Sequence, residues 1–118
     1  MTEFDSISQN ELRSLIQDNI DLQYEVERDL CRLNSDEENC IQSLKEDRMA
    51  LEALSEGWAG EDAERYILQS VDENESLYKK YMQVFSDEKD LLYEKKKRLQ
   101  TEEQSILEAM ANRGNREK

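Results

Sequence analysis

Glu56-Gly57-Trp58-Ala59-Gly60-Glu61-Asp62-Ala63-Glu64 lies at the midpoint of the 118-residue chain and interrupts an otherwise continuous Glu- and Leu-rich helical pattern. Gly57 offers the cheap left-handed dihedrals at which helices end. Gly60 suits the N-cap of a following helix, and Glu61, Asp62 and Glu64 then set negative charge on the exposed amides of its first turn. The stretch therefore reads as a hinge over 57–60 that reverses the chain between two long helices. The rival is one glycine-weakened helix passing straight through, since each glycine costs only ~1 kcal/mol against alanine.

Working outward, the composition supports long helices and little else. The chain has no proline, three glycines and 38% charged residues, a balance found in extended helices and coiled coils. With 36% hydrophobic and 7% aromatic residues it is too lean for a thick globular core. The expected fold is all-α: an antiparallel two-helix hairpin forming a single domain over 1–118, with arm 1 at about 9–56, the hinge at 57–60, arm 2 at about 61–111 and a frayed tail at 112–118.

In arm 1 the apolar positions from about Gln9 onward keep helical spacing: Leu12, Leu15, Ile16, Leu22, Val26, Leu30, Leu33, Ile41, Leu44, Leu51 and Leu54. Residues 1–8, with Phe4 and Ile7, show no periodicity and are expected to fray. Asn19 and Glu37 interrupt the stripe. Around Glu37, the run 34–39 has no apolar residue, and Ser35 with Glu38 has capping-box spacing. One helix with a kink there is the main reading, and a short break giving three helices is the alternative.

Arm 2 carries a cleaner seven-residue rhythm through Ala63, Ile67, Leu77, Tyr81, Val84 and Leu91, continuing after a one-residue shift with Leu99, Ile106 and Met110. Doublets at Leu77/Tyr78, Tyr81/Met82, Val84/Phe85, Leu91/Leu92 and Ile106/Leu107 widen the apolar stripe beyond what one antiparallel neighbour covers. A second pair of helices is the natural completion, as in a homodimer that closes a four-helix bundle. The helix–helix interface expected from both arms comprises Leu22, Val26, Leu30, Leu33, Ile41, Leu44, Leu51, Ile67, Leu77, Tyr81, Phe85, Leu91, Leu92, Leu99 and Ile106.

Charge placement argues for the same reversal. A fold centred near residue 59 places facing residues at numbers adding to about 118. Lys95, Lys96, Lys97 and Arg98 then face Asp18, Asp21 and Glu25, Lys79 and Lys80 fall near Asp36, Glu37 and Glu38, and Lys45 and Arg48 face Asp72 and Glu73. Exposed pairs contribute ~0–1 kcal/mol each, so they set orientation more than stability.

The formal net charge of −13 argues against binding nucleic acid or an anionic membrane, which require a positive face. No run approaches the roughly 20 apolar residues of a membrane span, and MTEFDSISQN has neither the basic flank nor the apolar core of a cleavable signal peptide. The expected location is cytoplasmic before any export, and export would follow a route independent of such a signal. An enzyme is not expected, because there is no His, no glycine-rich phosphate loop and no nucleophile motif. No cofactor or metal site is expected either. Cys31 and Cys40 are nine residues apart, on opposite sides of a continuous helix, and read as unbridged buried or half-buried thiols.

Extended, the hinge reads Trp58-x-Gly60-x-x-Ala63-x-x-Tyr66. This resembles the tryptophan-x-glycine (WXG) family of small helical hairpins exported by type VII secretion systems of Gram-positive bacteria. The likeness covers the architecture of most of the chain, and these four residues carry the motif. It implies that Trp58, Gly60, Ala63 and Tyr66 form a turn that a partner recognises. The export signal Y-x-x-x-D/E is missing: Tyr24, Tyr66, Tyr78, Tyr81 and Tyr93 are followed four residues later by Arg28, Ser70, Met82, Phe85 and Lys97. Phe85 leads to Lys89, so the related F-x-x-x-D signal is missing too. The longer arms look like the helical companions of LXG-type toxins, which bind the toxin's helical N-terminal domain and help present it to the secretion machinery.

The function expected from the resemblance is thus a non-enzymatic secretion substrate or targeting chaperone. Its partners would be a helical protein (an LXG-type toxin domain or another WXG-like chain), a second copy of itself, and the secretion apparatus. The competing reading is a structural coiled-coil scaffold unrelated to secretion, in which Trp58 only packs.

Overall fold

The computed structural model describes Phe4 and residues 7–116, the side chains of 115 and 116 excepted. Two helices account for nearly all of it: α1 at Gln9–Gly57 and α2 at Glu61–Arg116. They run antiparallel as an all-α hairpin, and Trp58, Ala59 and Gly60 form the connection. The fold class is the expected one. Dense contacts group the residues into two units, a terminal unit of Met1–Cys31 with Asp90–Lys118 and a hinge unit of Arg32–Lys89.

The start of α1 has a chemical cause that the periodicity did not reveal. Ser8 accepts the Glu11 backbone N–H through its Oγ at 3.2 Å, and its carbonyl accepts the Leu12 N–H at 2.9 Å. Ser8 is therefore the N-cap, with a glutamate at the third helical position that also suits the positive dipole end. Of the residues ahead of it, which were expected to fray, 1–3, 5 and 6 lie outside the described residues, whereas Phe4 and Ile7 are docked. Phe4 is buried with Leu12, Ile106 and Ala109, Ile7 is half-buried against them, and the Ile7 N–H donates to the Phe4 carbonyl at 3.2 Å. At the other end the expected tail at 112–118 is helical through Arg116; residues 117 and 118 lie outside the described residues.

α1 is one helix without a break, so the three-helix alternative does not hold. Residues 34–39 are helical throughout, so the Ser35–Glu38 spacing does not start a new helix. Leu33, Glu37, Ile41 and Leu44 continue the inward stripe at spacings of four, four and three. Glu37 holds its place by pairing with Lys89 of α2 at 2.7 Å, both side chains being three-quarters buried. An ion pair thus fills the apolar gap.

The terminal unit contains the thicker core. Phe4, Leu12, Ile106 and Ala109 form one cluster, flanked by Ile7, Leu15, Ile16 and Met110, and Val26, Leu30 and Leu99 form a second, flanked by Leu92. Each fully buried Leu, Ile or Val contributes about 1.5–3 kcal/mol. A polar group also lies in this interior. Asn19 is 1% exposed, and its amide donates to the Leu99 carbonyl at 3.0 Å and to the Glu102 carboxylate at 3.2 Å. Gln23 in turn donates to Asn19 at 2.6 Å and to Glu103. An amide that bonds across the seam favours one register, because sliding the helices would strand its donors.

In the hinge unit the buried apolar residues are Leu33, Leu44 and Ala63. Asn74 donates to the Leu44 carbonyl at 3.0 Å and repeats in this unit the cross-helix amide bond of Asn19. The amide bonds keep the expected register, whereas the ion pairs are offset from it. The numbers of Asn19 and Leu99 add to 118, as do those of Asn74 and Leu44. The ion pairs Arg48–Glu75 and Lys96–Glu27, however, add to 123, and Lys89–Glu37 to 126. Helical side chains lean toward their own N-terminus by about one position or more. In an antiparallel pair, arm 1 leans away from the hinge and arm 2 toward it, so long partners meet at larger sums. For that reason Arg48 meets Glu75 in place of Asp72 or Glu73, and Lys96 meets Glu27 in place of Asp18, Asp21 or Glu25.

Candidate functional site

Apolar surface left without a partner is the distinctive chemistry of the hinge unit. Trp58 is 42% exposed although it follows α1 directly, with its backbone N–H donating to the Leu54 carbonyl at 3.0 Å. Its indole lies against the Tyr66 ring, centroids 5.6 Å apart and planes at 57°, a tilted geometry that aromatic pairs favour. Tyr66 is itself half exposed. The two rings form an aromatic ledge beside the turn, while Ala63, one turn into α2, is buried. A small residue there suits a close approach of the helices next to a three-residue connection.

Gly60 is the N-cap as expected, but the left-handed dihedral expected of Gly57 falls on Gly60 instead. Gly60 has φ of 117°, whereas Gly57 has no positive φ and belongs to α1. The Gly60 carbonyl accepts the Glu64 N–H at 3.0 Å, which places Gly60 at the N-cap of α2. Only glycine adopts such a φ at little cost, so the glycine of the Trp-x-Gly motif reverses the chain. Glu61, Asp62 and Glu64 sit in the first turn of α2 as expected.

Farther along α2, the doublets resolve into two faces. Successive helical residues are about 100° apart. In Tyr81/Met82, Val84/Phe85 and Leu91/Leu92 the first residue is exposed and the second half-buried. Leu77 and Tyr78 are both exposed, and Ile106/Leu107 reverses the order, with Ile106 buried. Of the expected interface residues, Val26, Leu30, Leu33, Leu44, Leu99 and Ile106 are buried in the seam. Ile41, Leu51, Ile67, Phe85 and Leu92 are half-buried, while Leu22, Leu77, Tyr81 and Leu91 are exposed, Leu91 at 66%. Asn19 and Leu12, absent from that set, are among the most buried side chains in the chain.

A half-open groove of about 430 Å³ lies in the hinge unit between α1 and α2, floored by Ile41 and Leu44 and rimmed by Lys45, Arg48, Tyr78 and Lys79. Arg48 is engaged there by Glu75 at 3.2 Å. In the terminal unit Lys96 pairs with Glu27, whose hydrogen bond, and then its charge, hold the Lys96 ammonium above its ordinary pKa. Cys31 is exposed and Cys40 half-buried, both as free thiols, so Cys31 departs from the expected burial. Among the described residues, no group of three His, Cys, Asp or Glu side chains could hold a metal ion, and no helix is long and apolar enough to cross a membrane. What this surface can do chemically is bury a partner's apolar side chains. No known protein family, curated protein or solved structure matches the chain.

Proposed function

We propose that this chain is a non-enzymatic docking protein of the type VII secretion kind, a substrate or targeting chaperone that covers the exposed face of α2 with a helical partner and presents its aromatic turn for recognition. The observation that carries the reading is the pair of exposed rings, Trp58 on Tyr66, held beside a turn that Gly60 makes. Large aromatics at a rigid corner are the side chains most often found at the energetic centre of protein interfaces. An amphipathic helix laid along an apolar face is a recurrent mode of recognition. The resemblance of Trp58, Gly60, Ala63 and Tyr66 to the WXG turn supports secretion as the setting, and an LXG-type toxin domain as the kind of partner.

Trp58→Ala tests the reading. Because Trp58 lies beyond the end of α1 and packs on Tyr66 alone among the rings, the variant is expected to keep its helicity and to lose about 1 kcal/mol of stability. Export of the chain, or of a co-expressed toxin partner, is expected to fall at least about tenfold, the loss of one interface anchor of ~1.4 kcal/mol or more. Unchanged export by a folded Trp58→Ala protein removes the recognition role.

A further inference from the structure

In the hinge unit the ion pairs Arg48–Glu75 and Lys89–Glu37 join residues whose numbers add to 123 and 126. The numbers of Lys45 and Lys79 add to 124, inside that window, so the same lean of the side chains sets two ammonium groups on one groove between α1 and α2. The neighbouring crossings join a base to an acid. This one sets a base beside a base.

Neither lysine has a free carboxylate to turn to on its own helix. The helical neighbours of a residue stand three and four positions away, and for Lys45 these are Ile41, Gln42, Arg48 and Met49. For Lys79 they are Glu75, Ser76, Met82 and Gln83, and Glu75 is already held by Arg48 at 3.2 Å. Both lysines are exposed, and among the described residues neither makes an ion pair. Lys45, Arg48 and Lys79 thus border the groove against the single carboxylate of Glu75, in a chain whose net charge is −13. The positive excess is local, and its complement is an anion.

The floor adds a second requirement. Leu44 is buried and Ile41 half-buried beneath the rim, Tyr78 lines the groove as well, and the stems of the two lysines are themselves apolar. The lining residues of α1 run from Ile41 to Arg48, about 10 Å of axis at 1.5 Å per residue. The volume of about 430 Å³ lies within the range of small-molecule sites. Such a length is short for a docked helix and suits one compact apolar chain.

We propose that this groove binds a small amphipathic carboxylate of the fatty-acid type, its head at Lys45 and Lys79 and its alkyl tail over Ile41 and Leu44. The site shares no residue with the Trp58–Tyr66 pair, so it and the recognition role fail separately. Calorimetric titration of the full-length chain with decanoate, kept below its micellar concentration, is expected to show one site with a Kd on the order of 0.1 mM. Each methylene removed, down to hexanoate, is expected to weaken binding about twofold, because a half-open groove covers only part of each. Lys45→Gln and Lys79→Gln change exposed side chains and are expected to keep the fold. Each should weaken decanoate about threefold and the two together about tenfold, while Lys97→Gln in the terminal unit leaves the affinity unchanged.

Backbone amide shifts locate the ligand. Decanoate is expected to move resonances at 41–48 and 74–79, and decyltrimethylammonium, the same tail under a cation, to leave them in place. Equal shifts there with both amphiphiles overturn the proposal, as do decanoate shifts centred on the exposed Tyr81, Val84 and Leu91, which mark adsorption on open apolar surface. A double variant that binds decanoate as tightly as the native chain overturns it too. Binding of an acidic helical peptide at the two lysines, with none of decanoate, overturns the small-ligand assignment and gives the groove to a protein partner.

Discussion

Replacing Asn19 by aspartate changes one atom pair and almost no volume, so it isolates the electrostatics of the buried amide. Two donated hydrogen bonds are lost, one to the Leu99 carbonyl and one to the Glu102 carboxylate. The first is worth about 1 kcal/mol and the second, with a charged acceptor, about 1.5–3 kcal/mol. The Leu99 carbonyl lies inside α2 and has a helical partner available, so its own loss is small. The new carboxylate would be desolvated and would face Glu102, which is exposed and free to swing into water, so the repulsion is heavily screened. The expected cost is about 3 kcal/mol at neutral pH. Urea unfolding followed by circular dichroism measures it, with an unchanged m value confirming that the same transition is being compared. Asn19→Leu is the informative companion. It removes the polar demand altogether and is expected to cost less than Asn19→Asp, because apolar side chains already neighbour the site in sequence and on α2. A cost below about 0.5 kcal/mol for Asn19→Asp would mean that the amide is not buried against Leu99, and the register argument would fail with it.

The two hinge glycines should respond in opposite directions. Gly60→Ala forces a side chain into a φ of 117° and is expected to destabilise by about 1–2 kcal/mol, while Gly57→Ala, in helical conformation with open space around it, should stabilise by up to ~1 kcal/mol. Thermal melts of the pair decide which glycine makes the turn. Phe4→Ala should lower stability by about 3 kcal/mol; no change in the denaturation midpoint would mean that the ring is not packed on Leu12 and Ile106. The ammonium of Lys96 is raised by its hydrogen bond to Glu27, so its contribution is complete below the unfolded value of 10.5 and disappears as pH rises through the folded one. Relative to Lys96→Gln, the native chain should therefore lose its advantage only above about pH 10.5 in pH-dependent unfolding.

The periodicity of 3.6 and the Gly-Trp-Ala-Gly interruption were sufficient for two helices, their antiparallel sense and a hinge within 57–60. Helix type and chain reversal are decided by local spacing and by the few residues that tolerate a turn. The start of α1 near Gln9 was readable in the stripe, although its cause, the Ser8 cap, lay in a box of the same spacing as the misleading Ser35–Glu38. A capping box competes with whatever the flanking turns bury, and at 34–39 Leu33, Ile41 and the Glu37–Lys89 pair outweigh it. Phe4 shows the converse. A lone aromatic outside any periodic run is buried because Leu12 and Ile106 leave it a place, and periodicity carries no information about such a site.

What the sequence determined by itself is thus the set of apolar positions and the direction of the chain, because both follow from spacing along one helix. Only the tertiary structure decided which member of each α2 doublet meets α1, that Asn19 lies inside, and that Gly60 carries the positive φ. Those outcomes depend on where a neighbouring helix lies around the axis and how far its side chains lean, which no count along a single chain contains. The candidate site shows the same division. Trp58 and Tyr66 were visible as a motif, but their tilted ring contact and exposure required the hinge to be closed.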